Sequence, residues 1–274
     1  MESPTIRYSE SRLILYNVSD YIVANIAGTK WDPRILQWTV AANAYRQLIN
    51  FCSVNHINLI DEARKYNKLE IKLKNKITPR IHQRKALNAW INAQGIGVVS
   101  LPTGAGKTYL GILAIAKIQR PALVVVPTID LMNQWIQVIK ETIDIEKIGA
   151  LGGGEHNIQD ICVATYDSAL IHLDKIGNKF GLIIFDECHH LPATQYQSIG
   201  IGTIAPFRLG LSATVERADA KEHIIYDLTG PLEYKGYIHN MISTDVLSPY
   251  DVISIYVSLL PHEQQEYQYY RNIY

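Results

Sequence analysis

"VVSLPTGAGKTYLGILAIAKI", residues 98–118, sets an apolar run, a glycine-bearing loop and an apolar helical stretch in immediate succession. Strand, loop and helix in that order are what a phosphate-binding turn needs. Gly104 and Gly106 allow tight backbone geometry beside an anion. The first amides of the following helix point at that anion. Lys107 adds a full positive charge on a flexible stem, and Thr108 offers a hydroxyl to Mg²⁺. The strict pattern asks for a glycine where this chain has Leu101. Thr103 and Ala105 complete a "TGAGKT" loop that still meets the physical need.

Outward from this loop, short apolar runs recur: "GIGVVSL", "PALVVVP", "ICVATY", "FGLIIFD" and "FRLGLSAT". Runs that are apolar throughout suit strands buried on both faces. Helical stretches at 107–119 and 129–141 lie between them. Alternating strands and helices predict an α/β unit with a mostly parallel sheet and right-handed crossovers.

A nucleotide site also needs a carboxylate at a strand end to hold Mg²⁺, directly or through water. "GLIIFDECHH", residues 181–190, supplies it. Asp186 stands where the apolar run stops, at the carboxyl edge of the sheet. Glu187 follows, placed to polarise an attacking water. Adjacent strand side chains point opposite ways, so the backbone must turn between them. Cys188, His189 and His190 are contiguous, which argues against a zinc cluster, whose ligands are normally spaced. Cys188 reads as a core residue, and His189 as an imidazole that reaches the "SAT" segment and senses the γ-phosphate.

Upstream, "TIRY" and "RLILYNV" predict two strands, and "DPRILQWTVAANAYRQLINFCSVN" (32–55) predicts one helix with Asp32 as cap and Pro33 at its first position. "NLIDEARKYNKLEIK" (58–72) predicts a further short helix. A small α/β domain over 1–75 is followed by a basic linker, "LKNKITP", and a helix, "RIHQRKALNAWINA". The nucleotide-binding lobe spans 76–235, and 236–274 is a looser, tyrosine-rich segment ending in one more helix. Trp31, Trp38, Trp90 and Trp135 all fall on predicted helices, with core packing as their default role.

Composition sets the limits. The chain has 274 residues, 26 Lys plus Arg, 26 Asp plus Glu and a formal net charge of zero, so any nucleic-acid contact comes from a local patch. Three scattered cysteines, Cys52, Cys162 and Cys188, make no disulfide framework. A reducing intracellular setting is expected, with no signal peptide and no membrane span.

As a set, these pieces resemble the superfamily-2 helicases and translocases over about residues 78–219. "TGAGKT" resembles motif I, "VVVPTIDLMNQW" (124–135) motif Ia, "VATYDSA" (163–169) motif Ic, "DECHH" the DEAH-type motif II and "LSAT" (211–214) motif III. Gln83 resembles the glutamine that reads adenine just before motif I, and Arg80 stands beside it. "DECHHLPA", "PRIHQ" and the preceding domain look most like xeroderma-pigmentosum-B-type repair helicases. Restriction-type and phage-type enzymes are neighbouring readings.

The resemblance implies a RecA-like P-loop lobe using ATP and Mg²⁺, behind a damage-recognition-like domain. Lys107 and Thr108 would hold phosphate and Mg²⁺, Asp186 would bind Mg²⁺ and Glu187 would act as base. Thr128 and Thr165 would touch the backbone of duplex or forked DNA. Their alternative role is to cap helices. Ser212 and Thr214 would link the ATP site to the DNA face. The family's Arg-Glu-Asp motif corresponds to Arg217, Ala218 and Asp219, so its middle acid is missing here. That points to translocation more than unwinding. A second lobe with arginine fingers is also implied. The chain ends near where that lobe should begin, so weak hydrolysis by this chain alone is expected. Implied partners are a repair nuclease or a transcription/repair factor, in a prokaryotic cytoplasm or a eukaryotic nucleus. An RNA helicase and a nucleotide-binding scaffold without motor activity are the rival readings.

Overall fold

The computed structural model describes residues 3–74, 78–214, 221–237 and 259–271. The chain begins with β1 (Thr5–Ser9) and β2 (Arg12–Tyr16), followed by α1 (Asp20–Asn25), β3 (Lys30–Asp32), β4 (Gln37–Ala41), α2 (Tyr45–Val54) and β5 (Ile60–Asp61). These strands form a sheet in the order β3-β4-β2-β1-β5. Glu10 and Ser11, both at positive φ, make the two-residue turn that joins β1 to β2 in register. Ile6, Leu13 and Leu15 point inward and pack with Val40, Leu48 and Cys52.

Two expectations fail here. The helix predicted from Asp32 is instead the strand pair β3–β4 followed by α2, so Trp31 and Trp38 lie on strands, not helices. The physical reason is pairing. "QWTVA" is aromatic and β-branched, and β4 lies antiparallel to both β2 and β3. Trp31 and Trp38 meet edge to face at 5.5 Å across that ladder. Trp31 is half exposed rather than core. Asp32 caps a turn and not a helix: its Oδ1 accepts from the Arg34 amide at 3.1 Å, while its Oδ2 binds the Arg34 side chain at 2.7 Å and Arg12 at 3.1 Å. The second predicted helix, over 58–72, is β5 and then extended chain. Leu69, Ile71 and Leu73 recur at the period of two and pack on the core of the larger sheet. Their backbone is held by Gln119, which accepts from the amides of Leu69 and Ile71.

The rest builds an eight-stranded sheet. Its elements are α3 (Ile81–Asn92), β6 (Ile96–Ser100), α4 (Lys107–Ile118), β7 (Ala122–Val126), α5 (Ile129–Thr142), β8 (Gly149–Gly152), β9 (Glu155–Asn157), β10 (Ile161–Thr165), α6 (Tyr166–Ile171), α7 (Leu173–Ile176), β11 (Leu182–Asp186), α8 (Thr194–Ile201), β12 (Phe207–Ser212), α9 (Glu222–Thr229) and β13 (Leu232–Lys235). The order is β13-β6-β12-β11-β7-β10-β8-β9. Every neighbouring pair is parallel except β8–β9. The expected parallel sheet and its five apolar strands are therefore present. β7, β10 and β11 are buried along their whole length, as strands covered on both faces must be. One face packs Trp90, Leu110, Ile112 and Trp135, the other Tyr166, Phe180 and Phe185. A last exposed helix, α10 (Pro261–Arg271), agrees with the reading of the C-terminal segment.

The first sheet and α2 meet the larger unit through its helix ends and loops. The Tyr8 hydroxyl donates to the Gly202 carbonyl at 2.9 Å, with the Leu173 carbonyl 3.2 Å away, and Arg46 donates to the carbonyls of Gln94 and Pro206. Among the described residues, no helix is long and apolar enough to cross a membrane.

Candidate nucleotide site

Parallel strands bring their carboxyl ends to one edge, and the loops that follow them meet there. β6 leads into the phosphate loop and β11 into "ECHH", while β7 and β10 lead to Thr128 and Thr165. β12 ends at Ser212 and runs between β6 and β11. Parallel topology thus gathers segments more than a hundred residues apart in sequence into one site.

The loop has the conformation its glycines permit. Gly104 and Gly106 have φ of 77° and 84°. α4 then starts at Lys107, so its free amides face the loop. Ala105 is buried, Thr103 is exposed, and Thr108 is partly exposed. The Lys107 ammonium lies 3.4 Å from the Leu101 carbonyl and 3.5 Å from Glu187 Oε1. Its protein partners are oxygen atoms at long range, an arrangement that suits a cation able to take phosphate oxygens.

The turn between the two carboxylates is real and local. Glu187 has φ 47° and ψ 52°, the left-handed region, which breaks the strand's alternation after Asp186. Asp186 is nearly sealed. Its Oδ2 accepts from the Trp135 indole at 2.7 Å and its Oδ1 from the Glu187 amide at 3.1 Å. Tyr166 donates to its backbone carbonyl. Burial pushes the Asp186 carboxyl up, and the indole hydrogen bond opposes that. Glu187 is the reverse case. The His189 imidazole at 3.3 Å and the Lys107 ammonium hold it below the usual carboxylate range.

His189 ties this cluster to β12. Its Nδ1 lies 3.1 Å from Ser212 Oγ, and Ser212 donates its own proton to the Thr214 carbonyl at 2.6 Å. A hydroxyl has one proton, so Ser212 accepts from an Nδ1–H that also faces Glu187 Oε2 at 3.3 Å. A continuous path therefore runs from Lys107 through Glu187 and His189 to Ser212 and Thr214.

Gln83 is committed to the protein. Its Oε1 accepts from the Arg80 amide at 3.0 Å, and its Nε2 lies 3.3 Å from the Gly106 carbonyl. His82 meets the Ala105 carbonyl at 2.8 Å. A Cβ on Gly106 would lie 2.4 Å from Gln83 Nε2 and push that amide aside, and the φ of 84° is one that favours glycine. Arg80 is exposed at the start of α3. Thr128 and Thr165 cap α5 and α6, accepting from the amides of Leu131 and Ser168. Thr128 is exposed and Thr165 buried. Arg217 and Asp219 lie outside the described residues.

Sequence reasoning missed Trp135 as a partner of Asp186. The signal available was that a fully buried indole needs an acceptor. Trp135→Phe keeps the ring in the core and removes that hydrogen bond. It is expected to lower stability by about 1.5–3 kcal/mol in urea denaturation, the range for hydrogen bonds to charged groups.

The fold and this constellation define a P-loop, RecA-like helicase lobe. The chain belongs to the family described as type III restriction enzyme, res subunit, whose model matches residues 76–217. It is 36% identical over 241 residues to the DNA 3'-5' translocase XPB2 of Sulfurisphaera tokodaii, covering 88% of this chain and 54% of that protein. It is 31% identical over 198 residues to the DNA 3'-5' helicase XPB of Mycobacterium tuberculosis, covering 69% of this chain and 36% of that protein. The chain thus spans between about a third and a half of these relatives. The crystal structure of T4 UvsW shares the fold at a TM-score of 0.50 and 17% identity, covering 85% of this chain and 57% of that one. The resemblance to xeroderma-pigmentosum-B-type helicases read from the motifs is borne out by these relatives.

Proposed function

We propose that this chain is the nucleotide-hydrolysing first lobe of a DNA-dependent ATPase that translocates along, or opens, duplex DNA. The observation that carries the reading is the linked set Lys107, Asp186, Glu187, His189 and Ser212 at the sheet edge that also bears Thr128 and Thr165. Lys107 and the amides of residues 104–108 bind the phosphates of ATP. Thr108 and Asp186 fit a Mg²⁺ ion, which neutralises phosphate charge when bound. Glu187, ionised and aimed toward Lys107, orients the attacking water and takes its proton. His189 and Ser212 relay the state of that end to β12 and Thr214.

Gln83 acts on the nucleotide through the loop carbonyls it already holds, or by releasing them to read adenine, with Arg80 beside it. Thr128 and Thr165 set α5 and α6 so that their N-terminal amides meet a DNA phosphate backbone. Arg217 and Asp219 are assigned to duplex opening by family resemblance alone. Residues 1–75 are proposed as a damage-recognition-like domain, and a repair nuclease or transcription/repair factor as the partner. The arginine that completes the transition state comes from a second lobe, so hydrolysis by these 274 residues alone is weak.

The test is steady-state ATP hydrolysis by the 274-residue chain and by the chain joined to a second lobe. Each is assayed without nucleic acid, with duplex DNA and with RNA, using Lys107→Ala as control. DNA-stimulated turnover in the two-lobe form, lost in the control, is expected. Stimulation by RNA alone would identify an RNA motor. ATP binding without stimulation by either would identify a scaffold.

A further inference from the structure

A second concentration of positive charge lies at the opposite end of the sheet, where β7 and β12 begin. A cavity of about 240 Å³ opens there beside α2, lined by Arg46, Arg64, Arg120, Tyr66 and Phe207 among others, with no carboxylate in its wall. They come from α2 (Arg46), the chain after β5 (Arg64 and Tyr66), the turn before β7 (Arg120) and the start of β12 (Phe207). The guanidinium carbons of Arg46 and Arg120 each lie 5.6 Å from the centre of the Phe207 ring, and that of Arg64 lies 5.9 Å from the centre of Tyr66. Arg64 lies over the Tyr66 ring, and the Arg120 stem and the edge of that ring both approach Gly181, so the two arginines converge on Tyr66.

These cations are poorly compensated. Among the described residues, their one ion pair is Arg64 with Asp61, at 3.7 Å. Asp61 is already engaged, accepting from the Tyr45 hydroxyl at 2.6 Å. Arg46 spends its fork on the Gln94 side chain and on two carbonyls. Arg120 makes no hydrogen bond to a described residue, and its Nε is buried without a partner. The Phe207 ring attracts its charge but offers no acceptor in the plane of the fork. The arginine is nonetheless held in place. Its stem presses on Gly181, where an added Cβ would lie 2.7 Å from Arg120 Cδ.

We propose that this cavity binds the phosphate group of a small ligand, with Arg64 and Arg120 supplying the forks and Arg46 the supporting charge. Guanidinium forks match phosphate oxygens in pairs. Three arginines against one engaged carboxylate leave an excess of charge that suits a dianion better than a monocarboxylate. The aromatic walls exclude water from one side and strengthen the attraction.

The test uses the Lys107→Ala chain, which weakens phosphate binding at the loop, and the arginine variants below assign what remains to this cavity. Inorganic phosphate is titrated at constant ionic strength against chloride and followed by calorimetry and phosphorus NMR. One saturable site is expected to persist. Arg64→Gln and Arg120→Met are each expected to weaken it at least about tenfold. Arg120→Met keeps the aliphatic stem over Gly181, and the exposed Arg64 can be changed without disturbing the core. Absence of saturable binding, or unchanged affinity in Arg64→Gln, overturns the proposal. Displacement of phosphate by a duplex oligonucleotide at equal phosphate concentration overturns its small-ligand form. Because Lys107 is already removed, failure here is separate from failure of the ATPase reading.

Discussion

Glu187→Gln is expected to lower DNA-stimulated ATP turnover in the two-lobe protein by about 10²–10⁴-fold, the usual contribution of a positioned base, while nucleotide still binds. The substitution preserves shape and removes the one property the proposed step needs, an ionised acceptor. The structure places that acceptor between a cation and an imidazole, at 3.5 Å from Lys107 and 3.3 Å from His189. Both hold the carboxyl below its usual range, so it stays ionised through the neutral region. The sign follows. The acidic limb of the rate profile that belongs to Glu187 falls below the ordinary glutamate value, with activity lost only as pH drops through it. Binding persists because Lys107 and the loop amides are untouched, and removing a negative charge beside the phosphates favours it. Single-turnover hydrolysis beside equilibrium nucleotide binding separates the two effects. Turnover within a factor of about three of the unmodified protein, against that expectation, would move the base to another residue.

Arg208→Met is expected to destabilise the lobe by about 3–5 kcal/mol, because it strands several buried carbonyls at about 1–3 kcal/mol each. Arg208 lies within β12, 6% exposed, yet no carboxylate neutralises it among the described residues. Its guanidinium donates to the carbonyls of Gly200, Thr203, Ala205 and Leu228, at 2.7–3.1 Å. One side chain therefore ties the end of α8, the turn before β12 and the end of α9 to the sheet. Burial pushes its pKa down to about 10, which still leaves it a cation at neutral pH. Methionine matches the stem and leaves four buried carbonyls without a donor, each costly to strand. At roughly 2–4 °C per kcal/mol for a chain of this size, the melting temperature falls by about 10 °C. Lysine should rescue little, since its compact ammonium cannot span the carbonyls a planar fork reaches. A loss under about 1 kcal/mol in urea denaturation would mean the carbonyls find water instead.

Much of the lobe was legible because its signals are local. The wholly apolar runs of β7, β10 and β11, the glycines before Lys107 and the carboxylates at the end of β11 carry their meaning within a few residues. Strand, loop and helix then follow from periodicity and backbone freedom, and the parallel sheet from their alternation. The failures lie where pairing outweighs local preference. Residues 30–41 have a helix-compatible start at Asp32 and Pro33, but β2 offers an edge, and the ladder with Trp38, Thr39 and Val40 wins. Residues 69–73, "LEIKL", alternate apolar and polar, a local signal of extended chain that the helix reading passed over.

The amino-acid sequence by itself determined that this is a P-loop lobe with its carboxylates at a strand end, since both depend on contiguous chemistry. It determined the sheet's parallel sense, because strands separated by helices must return in the same direction. Only the tertiary structure decided that Trp135 holds Asp186, that His189 Nδ1 stands between Glu187 and Ser212, that Gln83 is bound to the phosphate loop, and that Arg46, Arg64 and Arg120 share a cavity. Those residues lie as much as 74 positions apart, from Arg46 to Arg120, and are brought together by which strand ends lie side by side. Spacing along a chain carries no record of that adjacency.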